Sequence, residues 1–303
     1  MLMHSVMTDM YNISIRIDSQ ENVSMEDKQK KSKKKKSGKG STILIVVLIL
    51  AGLLVMLYPT ISNLYNEMTG SYAIQEFNEQ LSDRTEEELQ NQRMMAQAYN
   101  EALQKSLENI DCPYEYKDIM DFGNGMMGYI EIPVIDVYLP VYHGVDESVL
   151  SKGVGHISKT AFPIGGVGNH SVLTGHTGLP SAELFTDLVE VQEGDTFYVH
   201  IAGETVAYQV DQILVVLPEE VDNILPVPGK DYCTLVTCTP YGVNSHRLLV
   251  RGYQVEYEVP EEVVAEVEET TDYSMYIGIG VGIGVLLTLV IVVYTVVRKK
   301  RKM

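Results

Sequence analysis

The sequence predicts a mainly β protein, a closed or nearly closed antiparallel β-barrel with an N-terminal helical region and two flanking transmembrane helices. Three observations support this prediction. Two long apolar runs lie towards the two ends of the 303-residue chain. A stretch with helical periodicity follows the first run. From Gly128 onward, short β-branched runs with period two alternate with turn residues, which is typical of a barrel of short strands.

The two apolar runs are each long enough to cross a membrane. Residues 42–58 carry no charge and follow a lysine-rich stretch, so we assign 42–62 as a transmembrane anchor. Residues 276–297 form a second predicted transmembrane helix. Because basic flanks stay in the cytoplasm, the tails 1–41 and 298–303 are predicted to be cytoplasmic and the intervening chain extracellular. A cleaved cell-wall sorting signal would also end in an apolar run and a basic tail, but it needs an LPxTG-like motif just upstream, and residues 259–275 contain none.

The extracellular part is strongly acidic, with 9 Lys and Arg against 36 Asp and Glu between residues 59 and 275. This charge argues against a nucleic-acid partner. The acidic clusters lack the spacing of a calcium loop, and no phosphate-binding glycine pattern is present, so we predict neither a metal nor a cofactor. We divide this part into a helical region at 63–127, a catalytic barrel at 128–258 and an acidic linker at 259–275.

The helical region carries two local signals. Thr85 and Glu88 fit a capping box at a helix start. Met95, Tyr99, Leu103 and Leu107 then form an apolar stripe on one helix face, and helix is predicted as far as about residue 110. A single helical insert is predicted within the barrel, at residues 181–189.

Cys238 is the best candidate nucleophile among three cysteines. It ends a predicted strand at 234–238 and precedes Pro240, which cannot continue a strand ladder. If the next strand returns as a hairpin, Arg247 lies beside Cys238, whereas Arg251 lies about 13 Å further along. Cys233 is read as a buried, inert thiol.

A nucleophilic thiol needs an imidazole to exchange its proton. Seven histidines are available, and His176 is the best placed because it lies on a glycine-flanked turn directly after a predicted strand. The default reading of five others is structural or turn residues: His143, His156, His170, His200 and His246. His4 falls on the cytoplasmic side.

The segments TLVTCTPYGVNSHRLLVRG and TGHTGLPSAELFTDL resemble sortases, and together with the C-terminal apolar run they are similar to the class C enzymes that polymerise pilins in Gram-positive bacteria. The resemblance covers about residues 128–257. It implies a sortase-type barrel in which Cys238 attacks the Thr carbonyl of an LPxTG-like sorting signal and forms a thioacyl enzyme. His176 would protonate the leaving amine, and Arg247 would hold the substrate backbone or the oxyanion. A pilin lysine would then resolve the intermediate.

The resemblance also suggests a lid. Class C enzymes often carry an Asp-Pro-aromatic motif over the cleft, and this chain has Asp111, Cys112, Pro113 and Tyr114 at the expected place, with Cys112 where the aspartate would stand. An ordinary proline-containing connection is the alternative. Two other functions stay open: a sortase that attaches LPxTG-bearing surface proteins to the cell wall, and a catalytically silent surface receptor or adhesin whose acidic face binds basic partners.

Overall fold

The protein was analysed as a computed structural model that describes residues 39–107 and 109–257. Of the described residues, 39–54 belong to one compact unit and 55–107 with 109–257 to another. The predicted second transmembrane helix, the acidic linker and nearly all of the two basic tails lie outside the described residues. The fold is therefore built from the second unit and from the start of the first long helix.

The first helix, α1, spans Lys39–Ser82 and includes Pro59. By length and composition, Val47–Ser82 is the single helix within the described ranges that could cross a membrane. This finding is compatible with the predicted anchor. Further along, Ile74 and Phe77 are buried in the core, and the Phe77 ring lies 5.6 Å from that of Phe122, edge to face. The helix thus extends twenty residues past the predicted end of the anchor.

The second helix, α2, spans Glu86–Lys105 and begins with the predicted capping box. The Thr85 hydroxyl accepts a hydrogen bond from the Glu88 N–H, and the Glu88 carboxylate accepts one from the Thr85 N–H. Tyr99 and Leu103 of the predicted apolar stripe are buried. The helix ends five residues before the predicted boundary near residue 110, so Leu107 lies beyond it and is exposed.

Eight strands close into a barrel in the order β1, β2, β3, β4, β7, β8, β6, β5, which confirms the predicted mainly β barrel. Six neighbouring pairs are antiparallel, but β2 pairs with β3 and β4 pairs with β7 in parallel. The barrel is therefore mixed, which corrects the predicted all-antiparallel arrangement. The strands are β1 Met126–Ile132, β2 Val137–His143, β3 Val154–His156, β4 His170–Thr174, β5 Thr196–Ile201, β6 Glu204–Val216, β7 Tyr232–Thr239 and β8 His246–Val255.

The strands bury apolar side chains on both faces. Residues such as Leu173, Leu235 and Val250 point into the barrel and belong to its main core. A smaller set faces the other way, because neighbouring residues of a strand alternate between faces. We call it the outer cluster; it consists of Val172, Val216, Val236 and Leu249, with Ile157, Leu214 and Ile224 packed against them.

The predicted helical insert at 181–189 is not an α-helix. The structure has an isolated bridge between Leu179 and Ala182 and a 3-10 helix at Thr186–Glu190. Between them Leu184 adopts a φ of 46°, which an α-helix does not allow. Phe185 beside it is fully buried, so packing of this ring in the core overrides the local helical pattern.

Asp231 directly precedes β7, and its carboxylate oxygens are buried without a good hydrogen bond in the described part of the chain. Burial raises the pKa of Asp231 to about 7, and the Gly166 N–H offsets only part of this effect. A folded-state pKa above the unfolded value means that this group favours folding at low pH, and that the contribution is lost as the pH rises through about 7.

We therefore expect Asp231→Asn to remove a pH dependence of stability. The difference in unfolding free energy between the variant and the native protein should change by about 2–3 kcal/mol between pH 5 and pH 8, in favour of the variant at pH 8. Urea unfolding of the full chain in detergent micelles at both pH values measures this difference. Histidine titration cancels in the comparison, so a constant difference across this range would contradict the assignment.

Candidate active site

Cys238 and Arg247 lie opposite each other at one end of the barrel. The β7–β8 hairpin pairs Cys238 with Arg247 and Thr234 with Arg251, as the hairpin argument predicts. Strand β7 continues one residue further than expected, to Thr239. Both Cys238 and Arg247 are partly exposed, so each can be reached from solvent.

His176 follows the end of β4 and lies at the same end of the barrel. Strands β4 and β7 run parallel, and Thr174 pairs with Val236. Two residues further along each chain stand His176 and Cys238. Beyond the paired strands, the Gly175 N–H donates to the Val236 carbonyl at 3.1 Å, and the Thr237 hydroxyl donates to the Gly175 carbonyl at 2.8 Å. The parallel pairing of β4 with β7 thus brings the imidazole, the thiol and the guanidinium to one end of the barrel.

The His176 turn is held by close packing. A Cβ on Gly175 would stand only 2.8 Å from the buried Phe185 ring, and the Phe185 N–H donates to the His176 carbonyl at 3.0 Å. Gly178 has a φ of +72°, and a Cβ there would lie 3.2 Å from the Tyr241 ring. Because Tyr241 belongs to the loop after Cys238, the two loops of the site contact each other at Gly178.

Glu147 is a site residue that sequence reasoning missed. It begins the short helix α3, Glu147–Leu150, between β2 and β3. Its Oε2 lies 3.3 Å from His176 Nε2, within hydrogen-bond distance. The one signal in the sequence was a helix start at Asp146-Glu147 directly after a strand, and such a pattern does not point to any particular partner.

The two arginines of β8 have different partners. Arg251 makes two hydrogen bonds of 2.9 Å to Asp211 and lies over the Tyr232 ring at 4.2 Å. The two side chains form an ion pair, and the hydrogen bonds to Asp211 raise the pKa of Arg251. Arg247 donates only to the backbone carbonyls of His246 and Asn244, and in residues 39–107 and 109–257 no carboxylate forms an ion pair with it. Its guanidinium is therefore available to a ligand.

The buried outer cluster lies next to these polar groups. In the outer cluster, Val236 precedes Cys238 by two residues and Leu249 follows Arg247 by two, so all four side chains lie on the same face of the sheet. Tyr241 and Val243 in the next loop are 68% and 70% exposed. Exposed apolar side chains therefore follow the thiol in the chain, next to the buried outer cluster.

The other described histidines are engaged elsewhere, in line with the structural reading. His156 is fully buried, and burial lowers its pKa to about 4, so it is neutral. His170 contacts the Leu225 carbonyl and the Thr234 hydroxyl. The remaining three have their own partners: the carbonyls of Ile119 and Gly125 for His143, Glu131 and Thr205 for His200, and Ser245 for His246. His4 lies outside the described residues.

Cys233 is buried in the core, as predicted. Burial and the nearby Asp231 both raise the pKa of its thiol, which keeps it protonated and unreactive.

The predicted lid lies between α2 and β1. Cys112 is partly buried against the main core, while Asp111, Pro113 and Tyr114 are exposed. Among the described contacts, no hydrogen bond joins this segment to Cys238, His176 or Arg247. Its service as a lid stays a prediction.

Comparison with known proteins agrees with this architecture. Residues 130–255 match the family model described as "Sortase domain". A solved sortase C from Streptococcus pneumoniae is 41% identical, with a TM-score of 0.57, and the match covers 62% of this chain and 99% of that one. Sortase C from Clostridium perfringens SM101 is 38% identical, with a TM-score of 0.55, over 61% and 99% of the two chains.

Among curated proteins, Sortase A of Streptococcus agalactiae is 32% identical over 117 residues, which is 38% of this chain and 47% of that protein. The match thus spans about half the length of this curated relative. A barrel of this topology that carries a thiol, an imidazole and a guanidinium at one end defines a class of cysteine-dependent transpeptidases. The chain belongs to the sortase family.

Proposed function

We propose that the protein is a membrane-anchored cysteine transpeptidase that cleaves LPxTG-like sorting signals between Thr and Gly and joins pilin subunits through a lysine amine. The single observation that carries this proposal is the convergence of Cys238, His176 and Arg247 at one end of the barrel. The likeness to solved sortase C structures supports the pilin-polymerising form. The partners are then LPxTG-bearing pilins, and the site of action is the outer face of the cell membrane.

In the first half-reaction the Cys238 thiol gives its proton to His176, and the sulfur attacks the Thr carbonyl carbon to form a tetrahedral intermediate. Arg247, a planar donor that keeps its charge, stabilises the oxyanion or holds the substrate backbone. The bond from the Thr carbonyl carbon to the Gly nitrogen breaks, and the amine leaves with a proton from His176. The product is a thioester between the Thr carbonyl and Cys238.

In the second half-reaction a lysine amine of the next pilin attacks the thioester. The amine loses a proton to His176, the carbon–sulfur bond breaks, and the Cys238 thiolate is released. An isopeptide bond now joins the two subunits, and no external oxidant or energy source is needed because one amide replaces another.

Attachment of single proteins to the cell wall uses the same chemistry with a different amine, so the acceptor decides between the two functions. Full-length protein in detergent micelles is incubated with an LPxTG peptide and either a pilin peptide with one internal lysine or a peptide with an N-terminal glycine. We expect mass spectrometry to show the lysine isopeptide, and a matched peptide with Arg in place of Lys to give none.

A product formed only with the glycine amine would instead favour cell-wall attachment. A Tyr114→Ala protein is assayed in parallel, because a closed lid would mask activity. Absence of cleavage in both proteins would contradict the proposed function and favour a silent receptor.

A further inference from the structure

We propose that Glu147 is a positioning residue for His176. Its carboxylate holds the Nε2 side of the ring and thereby leaves Nδ1 as the nitrogen that exchanges protons with the Cys238 thiol and the amine. This inference rests on the proposed function, which it deepens by assigning a role to a fourth residue and to one of the two ring nitrogens.

The contact lies at the edge of the site. Glu147 Oε2 is 3.3 Å from His176 Nε2, and the side chains of Glu147 and His176 are 77% and 28% exposed. Within the described residues, this is the one hydrogen bond or ion pair of the His176 ring. The other titratable or charged groups of the neighbouring elements are Cys238 of β7, Arg247 paired with it on β8, and the Tyr241 phenol beside Gly178.

The barrel holds α3 in register with the histidine. The Gly144 N–H, just before α3, donates to the His156 carbonyl of β3 at 3.1 Å. A Cβ on Gly155 would lie 3.1 Å from a methyl group of Leu150, so the last residue of α3 packs directly on β3. Gly155 in turn pairs with Thr174, two residues before His176. Glu147 and His176 are thus connected through paired strands and not through a free loop.

The chemistry of the two groups fixes the ring nitrogens. An ionised carboxylate only accepts hydrogen bonds, so the Nε2 atom that faces it carries the hydrogen. A neutral imidazole has a single N–H, which leaves the lone pair on Nδ1. Carboxylates that contact the far side of a functional histidine fix its tautomer and orientation in the same way.

The expected effect is modest because the carboxylate is exposed. Exposed charge pairs change equilibria by about two- to fivefold. For Glu147→Ala we expect the ratio of Nε2–H to Nδ1–H tautomer of neutral His176 to fall by about two- to fivefold, with a similar fall in kcat and an unchanged KM. Glu147→Gln keeps an acceptor oxygen without the charge, so its tautomer ratio and kcat should lie between those of Glu147→Ala and the native protein.

The test uses full-length protein labelled with ¹⁵N-histidine in detergent micelles. The His176 signals are assigned by their loss in His176→Gln, and ring nitrogen shifts are recorded at a pH where the imidazole is neutral. Glu193→Gln is the matched control, because Glu193 is exposed at the turn before β5 and its loss changes net charge equally. It should leave both the tautomer ratio and turnover unchanged.

Two results would overturn the proposal: neutral His176 with its hydrogen on Nδ1 in the native protein, or an unchanged tautomer ratio in Glu147→Ala. The NMR readout needs no substrate. A complete lack of Cys238-dependent turnover would therefore count against the proposed function, while the tautomer ratio would still decide the role of Glu147.

Discussion

Replacement of Cys238 by Ala is expected to lower cleavage of an LPxTG peptide by at least about 10³-fold, to the background of the assay. In the proposed mechanism the sulfur of this thiol forms the covalent intermediate, so the variant lacks the nucleophile. A fluorogenic peptide with hydroxylamine as acceptor measures the rate. When the peptide is added without an acceptor amine, mass spectrometry of the native protein should show a mass increase equal to the part of the peptide up to Thr. The variant should show no such adduct.

Cys233 provides the matched control for this experiment. It lies on the same strand, five residues earlier, but points into the core and is fully buried. Cys233→Ala should therefore keep the acyl adduct and turnover, with a cost of about 1 kcal/mol in stability from the small cavity. If Cys238→Ala cleaved the peptide at a rate near that of the native protein, another nucleophile would have to be sought.

Replacement of Arg247 by Ala is expected to reduce kcat/KM by about 10²–10³-fold. In the proposed mechanism this variant loses the charged donor that stabilises the oxyanion or holds the substrate backbone. Arg247→Lys keeps the charge but not the planar fork, so we expect it to recover only a small part of the rate. Steady-state kinetics with the same peptide measure both variants.

Arg251 is the natural comparison because it lies on the same strand and the same face, four residues away. Its guanidinium is engaged by Asp211 and stacks on Tyr232. Arg251→Lys should lower the unfolding midpoint while leaving kcat/KM within about threefold, since it loses packing and one arm of an ion pair. Equal losses of activity in Arg247→Lys and Arg251→Lys would contradict a specific role for Arg247.

Local rules were sufficient for the part of the site that a hairpin forms. The strand that ends near Cys238 and the strand that starts at His246 are joined by a short loop, so antiparallel pairing and its register could be worked out from the sequence. The capping box at Thr85 is equally local. In both cases the deciding interactions join residues close together in the chain.

The pairing of β4 with β7 could not be predicted in this way. Two strands, β5 and β6, intervene in the chain, and parallel neighbours share no local turn that would signal their register. His176 was identified from its glycine-flanked turn and from the family resemblance, not from its partner strand. Glu147 was missed for the same reason, because its contact with His176 depends on the β2–β3 and β3–β4 pairings.

The region at 181–189 shows how tertiary packing overrides a local pattern. Its apolar spacing is helical, but the core needs the Phe185 ring against Gly175, and the chain adopts a positive φ at Leu184 to supply it. Propensity describes the isolated segment, whereas the barrel selects among the conformations that the segment can adopt.

The parallel junction between β4 and β7 has a consequence for how the enzyme matures. Cys238 and His176 are 62 residues apart in the chain, and they meet only when β4 pairs with β7. Non-local pairings of this kind form late in folding. The pairing of this thiol with this imidazole is therefore absent from a newly made chain and arises only as the barrel folds.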